Sequence, residues 1–423
     1  MGEQQRNWAG NITFSTDRLH HPETVAQVQE VVRGSAKVRV LGSRHSFNAI
    51  ADSSGDLIAL DQFDPPPEID RVRHTATVGA GMTYGRLCGQ LHREGYALHN
   101  MASLPHITVA GACSTSTHGS GDRNGSLATA VAGIEFVAAN GEVVALSRRE
   151  HGDRFAGAVV GLGGLGVVTR ITLDLLPAFE VQQYVYENLP MARLEAHFDA
   201  IVSAAYSVSL FLDWQSDRVN QVWVKRQVTG DAASGPESDF FGATPATTDL
   251  HPLPSLSATT CTPQMGSVGP WHERLPHFRM EFTPNIGEEL QTEYFVPRAH
   301  AIAAIRAIRG LRENLAPVLQ MSEIRTIAAD DLWMSPFHGR DCVALHFTWR
   351  KDWDAVRALL PLMEARLAPF DPAPHWGKLS TMPAQCVQAR YAKLPQFRQL
   401  LHSYDPAGKF RNAFLDTYIS DAT

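Results

Sequence analysis

Glu323 and Arg325 stand two residues apart in Ser322-Glu323-Ile324-Arg325-Thr326, and His346 and Thr348 repeat that spacing in Leu345-His346-Phe347-Thr348-Trp349. In an extended chain alternate side chains share a face. Each polar pair therefore projects together, while Ile324 in one segment and Leu345, Phe347 and Trp349 in the other enter the opposite side. A single such pair is most simply a solvated sheet face with a salt bridge. Two pairs in one predicted sheet, joined by Lys378 of His375-Trp376-Gly377-Lys378, favour a different reading. A carboxylate, guanidinium, imidazole, hydroxyl and ammonium around one cavity suit a polyhydroxylated substrate, whose hydroxyls each need donors and acceptors and are costly to bury unpaired.

A second set of residues offers backbone rather than side chains. Val38-Arg39-Val40 reads as a strand and runs through Leu41 into Gly42-Ser43-Arg44-His45-Ser46, where small residues let N–H groups approach an anion such as a pyrophosphate. Alone, it reads equally as an ordinary turn with a surface histidine. The stretch from Ser103 through Thr108, Gly111, Ala112, Cys113, Ser114 and Thr115 to Thr117, His118, Gly119 and Gly121 is nearly free of charged and bulky groups, as backbone packed against something flat would be. A third small-residue run, Gly161-Leu162-Gly163-Gly164-Leu165-Gly166, leads into Val167-Val168. None of these runs forms a β-α-β dinucleotide fingerprint with its following acidic residue, so a Rossmann domain is not expected.

Periodicity supplies the elements that position these residues. Val25, Val28, Val31 and Val32 after Thr24 predict a helix, followed by strands at 38–41, 57–60, 74–78, 133–138 and 167–175, with a hairpin turn at Asn140-Gly141. Alternating strands at 206–212 and 221–224 precede a Pro/Gly/Ser/Thr-rich stretch from 229 to 268, predicted as a long loop or lid. Helices are predicted at 297–314 and 353–367, interleaved with strands at 321–327 and 342–349. The pattern is α+β, with a second domain of antiparallel sheet flanked by helices over 178–378. Net charge −7 and a pI near 6.2 argue against nucleic-acid or anionic-membrane partners. Five scattered cysteines without a CxxC pair indicate neither a disulfide framework nor a zinc site, and no His/Asp/Glu spacing suggests a metal. With no signal-peptide or membrane-spanning segment read in the sequence, a cytoplasmic protein is expected.

The three small-residue runs resemble the FAD-binding domain of the vanillyl-alcohol oxidase, or PCMH-type, family. Asn7-Trp8-Ala9-Gly10-Asn11, Asn100-Met101-Ala102-Ser103, Trp271-His272-Glu273-Arg274-Leu275-Pro276-His277, Glu323-Ile324-Arg325-Thr326, His346-Phe347-Thr348-Trp349, His375-Trp376-Gly377-Lys378 and Asp405-Pro406-Ala407-Gly408-Lys409-Phe410 extend the resemblance to its alditol oxidase branch over essentially the whole chain. It implies a two-subdomain FAD-binding domain over 1–177, a substrate domain over 178–378, and a segment over 379–423 returning to the first. It further implies FAD attached covalently through His45. The cofactor site would comprise Val40, Leu41, Gly42, Ser43, Arg44, His45, Ser46, Ser103, Thr108, Gly111, Ala112, Cys113, Ser114, Thr115, Thr117, His118, Gly119, Gly121, Gly166, Val168 and His375. Arg44 interrupts the small-residue motif and either pairs with phosphate or points to solvent.

The chemistry implied is oxidation of the terminal alcohol of alditols such as xylitol and sorbitol, with oxygen reduced to hydrogen peroxide. Arg325 and Lys378 are expected beside the developing alkoxide, His346 as proton acceptor because an imidazole has a suitable pKa without large perturbation, and Glu323 as the group orienting Arg325. Ser103, Thr348 and Gln291 would add substrate contacts. Ala102 is placed near the flavin where a small residue could admit oxygen. The segment 271–277 reads either as the substrate entrance or as a packed aromatic loop. The competing functions are an aldonolactone dehydrogenase on the same fold and a non-catalytic flavin- or sugar-binding protein. No G-x-S-x-G elbow supports a hydrolase.

Overall fold

The computed structural model describes residues 5–229, 235–282 and 287–420. Its first part holds a three-stranded and a five-stranded sheet, with a two-stranded pairing of Tyr96–Ala97 and Leu176–Pro177. Leu19–His20, Asp56–Ala59 and Val38–Leu41 pair in parallel, in that spatial order, and the helix Val25–Gly34 packs on them through Val28 and Val32. Thr24 starts that helix because its side chain accepts from the Gln27 N–H while the Gln27 side chain accepts from the Thr24 backbone, a reciprocal capping box. The second sheet is antiparallel: Glu68–Asp70, Thr75–Gly79, Val167–Asp174, Val131–Val137 and Val143–Ser147. Asn140-Gly141 makes the expected hairpin turn, Gly141 taking a positive φ of 80°.

From residue 180 the chain builds a nine-stranded antiparallel sheet. Thr244–Pro245, Glu180–Pro190, Arg218–Gln227, Ser207–Leu212, Leu319–Ile327, Cys342–Arg350, Glu289–Pro297 and Ala373–Pro374 lie side by side, and Gly269–Pro270 pairs separately with Glu180–Pro190. One face is apolar, with Val208, Leu210, Val222, Val224, Tyr294, Ile324, Leu345, Phe347 and Trp349 buried in the core alongside residues of helices Met191–Val202, Ala301–Arg309 and Trp353–Leu367. The other face carries the polar residues of those same strands, by the period-two alternation of extended chain.

The predicted helix at 297–314 is three pieces: a short 3₁₀ turn at Arg298–His300, then Ala301–Arg309 and Arg312–Leu315, with Gly310 and Leu311 between the last two. The loop predicted at 229–268 holds one two-residue strand and a 3₁₀ turn at Ala258–Thr260 among its described residues; 230–234 lie outside them. At the C-terminal end, Phe410 is buried in the first domain's core, the Val38 N–H donates to the Lys409 carbonyl, and Asn412 Nδ2 donates to the carbonyls of Ala49, Ile50 and Asp52. Among the described residues no helix is long and apolar enough to cross a membrane, and no group of three or more His, Cys, Asp or Glu could hold a metal ion.

Candidate active site

One cavity of about 460 Å³ runs from the first domain's glycine loops to the polar face of the large sheet, within the ~300–1,000 Å³ of small-molecule sites. The sheet end is set by register. Phe211 stands opposite Glu323, Glu323 opposite His346, and His346 opposite Glu293, so four adjacent strands place these side chains in one row. Thr348 stands opposite Met321 on one side and Gln291 on the other, in the next row. Cross-strand neighbours on one face come within side-chain reach, and that is how residues far apart in sequence become one site.

Glu293 is the hub of this row. Its Oε1 accepts from Arg325 Nη2 at 2.9 Å and its Oε2 accepts from Lys378 Nζ at 2.7 Å, while His118 Nε2 lies 3.4 Å from Oε1. Lys378 Nζ also donates to His346 Nδ1 at 2.8 Å, leaving His346 Nε2 to pair with Thr348 Oγ1 at 3.1 Å. Arg325 Nη1 donates to Ser103 Oγ at 3.2 Å, tying the sheet to the first domain's loop. Glu323 Oε1 receives His277 Nε2 at 2.8 Å and lies 3.5 Å from Arg325 Nε. Gln291 turns to Glu289, donating to its Oε1 at 2.5 Å.

Burial and charge oppose each other here. Burial works to raise the Glu323 and Glu293 carboxyls, but Arg325 with His277 outweighs it for Glu323, and Lys378, His118 and Arg325 outweigh it for Glu293. Both stay well below the usual carboxylate range. Burial lowers the Lys378 ammonium, only partly offset by Glu293. Burial and then the Lys378 charge pull His346 down to about 3. The expectation that the His346 pKa lies near its ordinary value is therefore corrected: its imidazole is neutral at ordinary pH, and its Nδ1 accepts from Lys378. Glu323 lies beside Arg325 as expected, and Glu293 adds a shorter bond to the same guanidinium.

Sequence reasoning missed Glu293. The signal was present, because Glu293 follows Gln291 at the same two-residue spacing that singled out Glu323 and Arg325. His277 was also not singled out. Its segment divides: Trp271 is packed, its Nε1 donating to the Tyr96 carbonyl, whereas His277 lines the cavity.

At the other end, Val40, Leu41, Gly42, Ser43, Arg44, His45 and Ser46 line the cavity together with Thr108, Gly111, Ala112, Ser114, Thr115, Thr117, His118, Gly166, Val168 and His375. Ala102 and Ser103 stand where the two ends meet. Three expected contacts lie off its wall. Cys113 is buried against Tyr84, whose hydroxyl is 3.4 Å from its Sγ. Gly119 is pressed so tightly on Met101 and Asn100 that a Cβ would come within 2.3 Å of the Met101 carbonyl oxygen. Gly121, at φ 135°, donates its N–H to the Thr326 carbonyl and so docks the first domain on the sheet. Arg44 lines the cavity but spends Nη1 on Gln5 Oε1, 2.6 Å away.

The cradle suits a flavin dinucleotide on its own observations. Gly42 and Gly111 present bare backbone to the cavity, and a Cβ on either would meet the Thr108 hydroxyl, at 2.4 and 2.8 Å. Among the described residues that hydroxyl has no hydrogen-bond partner, and neither has either ring nitrogen of His45, although all three atoms are buried. Trp8 stacks on the His45 ring, centroids 5.0 Å apart and planes 19° from parallel. Burial lowers the His45 pKa to about 4, so the ring is a neutral imidazole facing the cavity.

Comparison with known proteins agrees. Residues 16–147 match the FAD binding domain family and residues 287–418 match the D-arabinono-1,4-lactone oxidase family. Alditol oxidase of Streptomyces sp. (strain IKD472 / FERM P-14339) is 49% identical over 418 residues, covering 98% of this chain and 99% of that protein. L-gulonolactone oxidase of Mus musculus is 25% identical with 98% of each chain covered. L-gulono-1,4-lactone dehydrogenase of Mycobacterium tuberculosis is 26% identical, covering 96% of this chain and 97% of its own. Cholesterol oxidase from B. sterolicum shares the fold, with a TM-score of 0.80 over 99% of this chain and 96% of that one at 15% identity. The chain belongs to the alditol oxidases of the PCMH-type FAD-binding oxidoreductase family.

Proposed function

We propose that this protein oxidises the terminal primary alcohol of open-chain alditols, xylitol and sorbitol among them, to the aldose, with FAD held covalently through His45 and oxygen reduced to hydrogen peroxide. The observation that carries the reading is the clustering of Ser103, Glu293, Glu323, Arg325, His346, Thr348 and Lys378 at one end of a cavity whose other end is the glycine cradle. The flavin, when bound, supplies the hydride acceptor and returns its electrons to oxygen.

The chain's own residues do the rest. Lys378, its ammonium weakened by burial, is the group that can take the hydroxyl proton when neutral and then hold the oxygen as a cation. Glu293 fixes Lys378 and Arg325 on either side of one carboxylate, so both donors are set before substrate arrives. His346 holds Lys378 by accepting from it, and Thr348 holds His346. Glu323 and Ser103 offer an acceptor and a hydroxyl to the neighbouring substrate hydroxyls.

A cyclic lactone is the second reading, favoured by the match of residues 287–418 to a lactone oxidase family. The test is steady-state turnover under air with xylitol, sorbitol, ethanol and L-gulono-1,4-lactone, with product and peroxide measured. Each buried hydrogen bond a substrate leaves unmade costs about 1–3 kcal/mol, so ethanol should be far poorer than xylitol. Comparable efficiency with ethanol contradicts the polar pocket, and turnover of the lactone alone moves the chain to the second reading.

A further inference from the structure

Lys225 is wholly buried in the strand Arg218–Gln227, two strands away from Glu323, and the chemistry above does not use it. Its ammonium has three N–H groups and three acceptors: the Leu275 carbonyl at 2.6 Å, the Pro276 carbonyl at 2.9 Å and His277 Nδ1 at 3.3 Å. A buried lysine is expensive and is retained where its charge is used. His277 is itself 5% exposed, and its other nitrogen, Nε2, meets Glu323 Oε1 at 2.8 Å. Lys225, His277 and Glu323 thus form an unbroken file of polar contacts from the interior of the sheet to the cavity wall.

The donor pattern fixes the protons. Burial lowers Lys225 to about 7, and below that value its ammonium can only donate, so Nδ1 of His277 accepts and a neutral ring carries its proton on Nε2, aimed at the carboxylate. Oε1 of Glu323 is occupied by that proton, and no hydrogen bond from a described residue reaches Oε2. We infer that Lys225 is a positioning residue for substrate selection: it holds His277 neutral with its proton on Nε2, and thereby turns Glu323 so that Oε2 is presented to the secondary hydroxyls of a polyol. The inference rests on the alditol reading for the identity of those hydroxyls, but the Lys225–His277 link does not.

The ionisable groups facing this file are few. Glu323, Cys261, Arg274 and Arg325 face Lys225, and Glu323, Lys225 and Arg325 face His277. Burial, reinforced by Lys225 and opposed by Glu323, lowers His277 to about 4. Removing the Lys225 charge removes one of the influences that lower it, so the His277 pKa must rise.

The test compares Lys225→Met, His277→Leu, His277→Gln and the Lys225→Met/His277→Leu double variant in the FAD-loaded enzyme. Glutamine can still accept from Lys225 and donate to Glu323, whereas leucine can do neither. Lys225→Met and His277→Leu should each raise KM for xylitol about tenfold with kcat changed little, the size of one lost hydrogen bond to a charged group. The double variant should be no worse than either alone, and His277→Gln should restore most of the loss. Nitrogen-15 NMR of histidine-labelled protein, with the His277 signal identified from its absence in His277→Gln, supplies a readout that needs no substrate. In the parent protein the ring should be neutral with Nε2 protonated from pH 5.5 to 7, and in Lys225→Met its titration midpoint should lie at higher pH than in the parent. Additive losses, no rescue by glutamine, or a His277 signal unchanged in Lys225→Met would overturn the inference. If Lys225→Met does not load FAD, the leucine and glutamine variants at His277 decide it alone. Failure of the parent enzyme to oxidise any alditol would sink the proposed function, while the NMR arm would still decide the link.

Discussion

The proposed chemistry rests most on Lys378, because it bonds both Glu293 and His346 and its ammonium is lowered by burial. Replacing Lys378 or Arg325 with Ala should slow anaerobic flavin reduction on the order of a hundredfold or more, the loss of a few kcal/mol of charge stabilisation. Near-normal reduction in a folded, flavin-loaded variant would remove that residue from the mechanism. The pH dependence separates the two candidate bases. With its pKa lowered to about 3, His346 is already neutral above pH 4 and contributes no inflection near 6.5. Lys378 must lose its proton to act, so the reduction rate should climb with pH as it passes that group's lowered pKa. A rise centred near 6.5 that vanishes in His346→Gln would return the role to the imidazole. Which side chains meet was legible in the Glu-x-Arg and His-x-Thr spacings, whereas which of them hydrogen-bond was not, because Glu293 reaches Arg325 through a register that joins strands Glu289–Pro297, Cys342–Arg350 and Leu319–Ile327, and reaches Lys378 through backbone bonds from His375 and Leu379 to its own strand.

The loop that follows strand Val38–Leu41 is the element on which the proposed covalent attachment of FAD depends. It is pinned from several directions: Asn7 Nδ2 donates to the Ser46 carbonyl, Asn11 Nδ2 to the Phe47 carbonyl, and Asn48 Nδ2 to the carbonyls of Trp376 and Lys378. The last pair links this loop to the segment bearing Lys378. With the loop so held and both His45 nitrogens unpartnered among the described residues, flavin should remain with acid-precipitated native protein and be released from His45→Ala. Complete release from the fully loaded native protein would refute covalent attachment. Strand 38–41, the helix after Thr24 and the Asn140-Gly141 hairpin were legible because period and turn chemistry are local. Helices Tyr84–Arg93 and Met191–Val202 were not read, and the predicted helix at 297–314 proved broken. In Tyr84–Arg93 the buried stripe Tyr84, Leu87, Cys88 and Leu91 is interrupted by Gly85 and Gly89, which weaken a helical signature; a Cβ at Gly85 would come within 2.3 Å of the Met280 sulfur.

Across the molecule, the two ends of the cavity come from different parts of the chain, and neither is complete alone. Gly121 bonding to Thr326, Ser103 bonding to Arg325, and Asn48 bonding to the backbone of 376–378 lock the cradle against the sheet. A substrate bound by the sheet's polar row is thereby held against whatever occupies the cradle, which is the proximity a direct hydride transfer requires. The most direct measurement is anaerobic mixing of the FAD-loaded enzyme with xylitol, following the flavin absorbance and identifying the product of that single turnover. Xylitol should bleach the flavin rapidly with one equivalent of the corresponding aldose formed, and ethanol at the same concentration should bleach it little. A flavin that stays oxidised with xylitol, or bleaches only with L-gulono-1,4-lactone, would contradict the proposed function.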